Sequence, residues 1–344
     1  MLKRCASELI AHKNRLILKQ GDGNRSSISG HVATVFGCSG FIGRYLCHRL
    51  GQQGTQVVTP YRGEVERVRH LKVMGDLGQI VQLQFDPRDL KSYEEAISTS
   101  DTVYNLIGKN YDTKNYKLRE THVDIASKIA EMCKFYKTRL IHVSHISADP
   151  NSTSQYFSTK YESEQAVKTI YPDATIVKLS SVFGYEDRFI RRLAWMTGSK
   201  LCLVPNKGST VYRPVNVSDV ATGLVQLMKN EDIEGQSFEF YGPRPLTHAQ
   251  CLELFNETTM RNPYNLNISE SMYSLLTEVI DVLPFPWLSI DEVKRLFINE
   301  TPSGDNHLAS MVELKDFELS LVEFARRYRN HANYGTPAPE QIKK

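Results

Sequence analysis

Three glycines stand two residues apart in the run Gly37-Cys38-Ser39-Gly40-Phe41-Ile42-Gly43. An apolar segment, Val32-Ala-Thr-Val-Phe36, leads into them, and helical spacing from Phe41 to Leu50 leads out. Strand, glycines and helix in that order make a phosphate-binding turn. Glycine permits the tight bend, the close approach of a pyrophosphate and the close packing of helix on strand. The helix start then offers unpaired amides and the positive end of its dipole to the phosphates. Gly37, Ser39, Gly40, Phe41, Ile42 and Gly43 are therefore candidate dinucleotide contacts. The spacing is G-x-x-G-x-x-G, which differs from the G-x-G-x-x-G of many dehydrogenases.

The next apolar segment ends Val58-Thr-Pro-Tyr61-Arg62. An acid at this place bonds the ribose 2′-hydroxyl of NAD, whereas an arginine suits a 2′-phosphate. Arg62 thus predicts NADPH, and Arg44, just past the third glycine, adds a second positive contact. Asp86 closes the third segment. It is either an acceptor for the adenine amino group or a loop aspartate before Pro87. Asn105-Leu106-Ile107-Gly108 closes the fourth, beside the expected cofactor path. Tyr156 and Lys160 form a Y-x-x-x-K pair, which on a helix shares one face. An ammonium near a phenol favours the phenolate, so the pair suits proton transfer beside a hydride step, with the lysine holding ribose hydroxyls. Ser144 opens the preceding loop, Ser144-His145-Ile146-Ser147.

These residues need a frame. Apolar strand-like runs fall at Gln56–Pro60, Ile80–Phe85, Thr102–Ile107, Leu140–Val143 and Thr175–Leu179. Helical stretches alternate with them at Leu90–Ser98, Thr121–Tyr136 and Tyr161–Ile170. Alternation of this kind predicts an α/β fold: a Rossmann-type, doubly wound parallel sheet covered on both faces. After Gly184 the pattern loosens. Helices are read at Asp187–Met196, Asp219–Met228 and Leu246–Met260, the last capped by Thr247. Extended runs are read at Val211–Val217 and Phe238–Tyr241. The expected organisation is a basic extension over 1–29, an NAD(P)-binding domain over 30–205, a smaller C-terminal α/β lobe over 206–331, and a tail over 332–344.

Composition narrows the function. The net charge is only +3, which gives no reason to expect a nucleic-acid partner. The cysteines, at 5, 38, 47, 133, 202 and 251, contain no C-x-x-C pair. That argues against a disulfide framework or a zinc site and for a reducing compartment. No apolar run approaches the ~20 residues that span a bilayer. In the first ~30 residues, Lys3, Arg4, Lys13, Arg15, Lys19 and Arg25 face only Glu8 and Asp22. Such a start is either a mitochondrial targeting segment or a basic tail. His145 reads first as a packed loop histidine. Asp187 and Arg188 either face the cofactor mouth or pair with each other. Met272, Tyr273, Leu275, Leu276, Val279, Ile280, Val282 and Leu283 fit a partner-binding helix or a core helix equally, and Pro284-Phe-Pro-Trp287 stops it.

The glycine turn, Asp86, and Tyr156 with Lys160 resemble the extended and atypical short-chain dehydrogenase/reductase superfamily. A closer resemblance joins Arg25-Ser-Ser-Ile-Ser-Gly30, Pro60-Tyr-Arg62, Met74-Gly-Asp-Leu-Gly-Gln79, Asn105-Leu-Ile-Gly108, His142-Val-Ser-His145 and Phe183-Gly-Tyr-Glu-Asp-Arg-Phe189. Together these look like the nucleotide-binding accessory subunits of mitochondrial respiratory complex I. The resemblance runs from Arg25 to Tyr241 and more weakly to Lys294. It implies a tightly held NADPH and a place among the other subunits of complex I. It also implies a peripheral position on the matrix side of the inner membrane, with no turnover of its own. Active relatives carry a serine or threonine after the fifth strand to polarise a carbonyl. Here the aligned slot falls at His145 or Ile146, leaving Tyr156 and Lys160 as vestigial catalytic candidates. The alternatives are an active NADP-dependent reductase or epimerase, and an NADP(H)-sensing regulator.

Overall fold

The apolar runs become neighbouring strands because most of them are too apolar to face water on either side. In the computed structural model, which describes residues 7–12, 15–20, 26–230, 232–269, 271–273, 289–329, 333 and 335, they form one seven-stranded sheet. Its strands are β1 (Val32–Phe36), β2 (Gln56–Tyr61), β3 (Ile80–Gln84), β4 (Thr102–Asn105), β5 (Arg139–His145), β6 (Thr175–Leu179) and β7 (Ser237–Phe240). The order across the sheet is β3-β2-β1-β4-β5-β6-β7. The pairings of β1 with β2, β2 with β3, β1 with β4 and β4 with β5 are all parallel. The order of the strands reverses at β1, so the crevice beside its carboxyl end is the ligand position of a doubly wound sheet.

Helix α1 (Phe41–Gln52) follows β1, α2 (Leu90–Ile97) follows β3, and α3 (Ile125–Tyr136) follows β4. Asp89 caps α2 by accepting from Lys91 N at 3.1 Å. A π-helical turn, Glu120–Asp124, leads into α3. Helix α4 spans Gln155–Ile170, longer than the expected Tyr161 start, and so carries both Tyr156 and Lys160. A long-range cap accounts for the difference. The Asp291 carboxylate accepts from Gln155 N at 2.6 Å and from Ser154 Oγ at 3.0 Å. It thereby satisfies an orphan amide and neutralises the positive end of the helix.

Contacts divide the chain into two units that interleave. The first comprises 1–144, 159–177 and 221–238; the second comprises 145–158, 178–220 and 239–344. The boundary expected at 205 follows the chain, whereas packing returns most of α6 (Val217–Lys229) and the start of β7 to the first unit. The first unit is built on Phe36, Phe85, Tyr93, Ile97, Val103, Ile129, Leu140 and Val167. The second is built on Phe183, Phe189, Leu193, Tyr212, Phe255, Phe317 and Phe324. In the second, α5 spans Phe189–Met196 and α7 spans His248–Thr259. Thr247 caps α7 as expected, and the capping box closes with Gln250.

Ser7–His12 pairs antiparallel with Arg15–Gln20, so part of the presumed basic extension forms a hairpin. The expected helix over 271–283 and its stop at Trp287 lie outside the described residues, apart from Ser271, Met272 and Tyr273. Tyr273 is buried with Ile268, Val293 and Leu296, while Met272 is exposed. Nearly all of the expected tail also lies outside. Cys38, Cys47, Cys133, Cys202 and Cys251 are buried free thiols. Among the described residues no helix is long and apolar enough to cross a membrane.

Tyr104 of β4 is wholly buried and its hydroxyl donates to Leu224 O at 3.0 Å. Tyr104→Phe removes that bond between the sheet and α6. The variant is expected to lose about 1–2 kcal/mol of stability in a denaturant titration.

Candidate functional site

The crevice beside β1 holds a cleft of about 560 Å³. Gly37, Ser39, Gly40, Arg44, Arg62, Leu106, Ile107 and Gly108 line it, as the spacing of the motifs predicts. Two glycines of the turn, Gly37 and Gly43, are structural necessities. Gly37 sits at φ +83°, and a Cβ there would lie 2.9 Å from Leu106 C and O. A Cβ on Gly43 would collide with Gly37 O, so Gly43 serves packing of α1 and faces the loop itself. A Cβ on Gly40 would lie 3.0 Å from Gly37 O. Gly40 N bonds Gly37 O at 2.9 Å, which closes the turn. Gly40 is also the N-cap of α1 and supplies no side-chain cap, so the first amides of the helix are left for a ligand. Arg44 Nε donates to Ser39 O at 3.1 Å, which fixes the guanidinium against the loop.

Phe41 and Ile42 occupy the first turn of α1 and do not line the cleft. The Asp86 carboxylate accepts from Arg88 N at 3.0 Å and holds the turn after β3; Pro87, its neighbour, lines the cleft. The motifs missed Tyr61, Arg67, Val68, Phe85, Lys109, Tyr116, Thr121 and Ile125, which line it too. Lys109 and Tyr116 belong to the loop after β4, where no local pattern marks them.

Lys160 is buried, with Nζ donating to Val143 O at 3.2 Å. Burial pushes its ammonium down to about 8, against the opposing pull of Glu164. A buried cation near a carbonyl and a neighbouring loop fits a lysine reserved for ligand hydroxyls. Ser144 Oγ is also buried, and no hydrogen-bond partner satisfies it. A polar chain segment beside Gly108, a lysine and an unsatisfied hydroxyl suit a ribose. Beneath them, His142 Nε2 lies 3.1 Å from Ser163 Oγ and Nδ1 lies 3.1 Å from Asn105 Nδ2. Burial, then the Lys160 charge, drives His142 down to about 3, so this histidine is a neutral strut.

Tyr156 lies in the second unit. The Arg295 guanidinium stacks over its ring, Cζ 4.5 Å from the centroid. Asp291 holds Arg295 in turn at 3.5 Å. The expectation that Lys160 lowers the phenol is not met. Burial raises the Tyr156 hydroxyl, and the charges pulling it down are Arg295 and Arg188. His145 packs 4.8 Å from the Phe157 ring and 6.2 Å from Tyr156, with Nε2 3.8 Å from buried Glu300. It is a packed histidine, at the end of β5 and not in the loop that the sequence suggested. Asp187 and Arg188 do not pair with each other. Asp187 accepts from Ile190 N at 2.7 Å, capping α5, and Arg188 lies 3.7 Å from Glu292. No group of three or more His, Cys, Asp or Glu side chains fit to hold a metal occurs among the described residues.

A Rossmann crevice with a glycine turn and arginines at its mouth defines a dinucleotide-binding protein of the reductase and epimerase type. The profile of the NAD dependent epimerase/dehydratase family matches residues 33–239. A crystal structure of triphenylmethane reductase from a Citrobacter species, complexed with NADP(H), superposes with TM-score 0.68 at 16% identity, covering 86% of this chain and 99% of that one. The 40 kDa subunit of mitochondrial NADH-ubiquinone oxidoreductase from Neurospora crassa is 37% identical over 339 residues, 97% of this chain and 89% of that protein. The mouse mitochondrial NADH dehydrogenase [ubiquinone] 1 alpha subcomplex subunit 9 is 37% identical over 324 residues, 92% of this chain and 85% of that protein. The chain belongs to the NAD dependent epimerase/dehydratase family and, within it, to the family of NADH dehydrogenase alpha subcomplex subunit 9.

Lys160 carries a pH signature. Its folded pKa, about 8, lies below the ordinary 10.5, so the unfolded chain binds more protons between those values. Its contribution to stability therefore rises with pH across that window. In nucleotide-free protein, Lys160→Met is expected to gain roughly 1–3 kcal/mol at pH 7 relative to wild type. The gain should shrink by pH 10, as read by denaturant titrations at both values.

Proposed function

We propose that this chain is an accessory subunit of mitochondrial respiratory complex I that holds NADPH as a structural cofactor and does not turn it over. It sits peripherally on the matrix side of the inner membrane, where it supports assembly or stability of the complex. Near full-length likeness to complex I subunits supports the first half of this reading. Arg295, stacked on the Tyr156 ring, carries the second.

Bound NADPH supplies a hydride donor, and by binding only the folded chain it also stabilises that chain. The residues divide accordingly. The amides of the Gly37–Gly40 turn and the start of α1 take the pyrophosphate, Arg62 and Arg44 take the 2′-phosphate, and Lys160 with Ser144 takes ribose hydroxyls. Tyr156 has its ring face covered by a guanidinium, and burial raises its hydroxyl although the Arg295 charge pulls the other way, so the phenol keeps its proton. His145 and Ile146 stand where a carbonyl-polarising hydroxyl is needed.

Tyr156→Phe is therefore expected to leave bound NADPH and NADH:quinone activity of mitochondrial membranes near wild type. Lys160→Ala is expected to lose nucleotide first and assembled complex after it. Both are read by mass spectrometry of extracted nucleotide, native electrophoresis and an NADH:quinone activity assay. Loss of activity in Tyr156→Phe with nucleotide retained would contradict the reading, as would recovery of NADH alone from the wild type.

A further inference from the structure

The loop after β4 carries an aromatic ring that the function above leaves without a role. Arg62 Cζ lies 5.1 Å from the Tyr116 ring centroid, Arg88 Cζ 5.3 Å and Lys109 Nζ 5.6 Å. The three cations come from separate stretches: the end of β2, the turn after β3 and the loop after β4. Among the described residues, no carboxylate forms an ion pair with any of them. Like charges drawn together without a counter-charge repel, and a ring face offsets only part of that. Burial and the charge of Arg62 both push the Lys109 ammonium below its ordinary value. The cluster is therefore organised for an anion that arrives from outside.

The ring is held before any ligand arrives. Tyr116 N donates to Thr113 Oγ1 at 3.3 Å, and Thr113 N donates to Tyr116 O at 3.0 Å. Lys109 Nζ donates to the same Thr113 hydroxyl at 3.0 Å. Leu118 N is tied to Asp112 Oδ1 at 2.6 Å, and Lys109 N lies 3.2 Å from His122 Nε2. Arg62, Lys109 and Tyr116 line the same cleft as Gly37 and Gly40. Backbone amides serve the pyrophosphate there, so the cation cluster is available for a second, more charged group. Two guanidinium forks and one point charge match the oxygens of a phosphate monoester.

We propose that Arg88 and Lys109 join Arg62 in the 2′-phosphate site of this protein, and that Tyr116 is the positioning residue that holds all three around it. The proposal rests on the NADPH reading above and adds the residues that set its selectivity.

The test uses the full chain stripped of nucleotide and titrated with NADPH, NADH, adenosine 2′,5′-bisphosphate and 5′-AMP. Wild type is expected to prefer the 2′-phosphorylated member of each pair. Arg88→Gln and Lys109→Gln should each cut that preference about tenfold, the scale of one hydrogen bond to a charged group, with NADH and 5′-AMP affinities unchanged. Tyr116→Leu should cut it likewise, and Tyr116→Phe should restore it, because the ring and not the hydroxyl is what the cations pack on. A wild-type preference that survives in the Gln and Leu variants overturns the proposal. So does an equal loss of NADPH and NADH affinity, which marks the loop as a general structural support. A wild type with no preference overturns the NADPH reading itself, and this site with it.

Discussion

The close approach of backbone to backbone at the glycine turn is the constraint on which the rest depends. Gly37 bends at φ +83° directly against Leu106, and Gly43 brings α1 down onto the Gly37 carbonyl. No side chain fits at either contact. Because the turn is that tight, the axis of α1 points its unpaired amides into the crevice where strand order reverses. The exits of β2, β3 and β4 then supply the walls: Arg62, the Phe85–Pro87 turn, and Leu106 to Gly108. The ligand site is thus a consequence of how one helix packs on one strand.

The two groups named by the Y-x-x-x-K pattern have separate environments. Lys160 is buried, its ammonium donating to Val143 O and pushed down to about 8 by desolvation. Tyr156 is enclosed by an arginine that is itself anchored by the aspartate capping the same helix. Asp291 therefore does two things at once: it starts α4 and it fixes the cover on Tyr156. Under the proposed function the fold keeps its cofactor-binding groups while its acid–base group is covered, since function resides in the site and not in the scaffold.

Local signals made much of this legible. Strands buried on both faces read as continuous apolar runs, so most of β1 to β6 stand out in the sequence within a residue or two, and the edge strand β3 still shows Ile80, Val81 and Leu83. The glycine turn and the Thr247–Gln250 capping box have fixed spacings and are equally plain. What depends on distant partners was not legible. The start of α4 is set by Asp291, 136 residues from Gln155. The Val65–Met74 helix is 3₁₀ and rich in charge, without the apolar period that marks an α-helix. The seventh strand is only Ser237–Phe240, and nothing in four residues says that it rejoins the first sheet. The cations around Tyr116 come from three stretches of chain, and only Arg62 occupies a position with a sequence rule attached.

The central claim is that the nucleotide stabilises this chain and is not consumed by it. Complex I containing the chain can be driven through steady NADH:ubiquinone turnover, quenched at intervals, and its bound NADPH and NADP⁺ quantified by mass spectrometry. The account requires bound NADPH to stay reduced and constant in amount throughout. Oxidation of one equivalent per chain during turnover, with re-reduction when turnover stops, would contradict it.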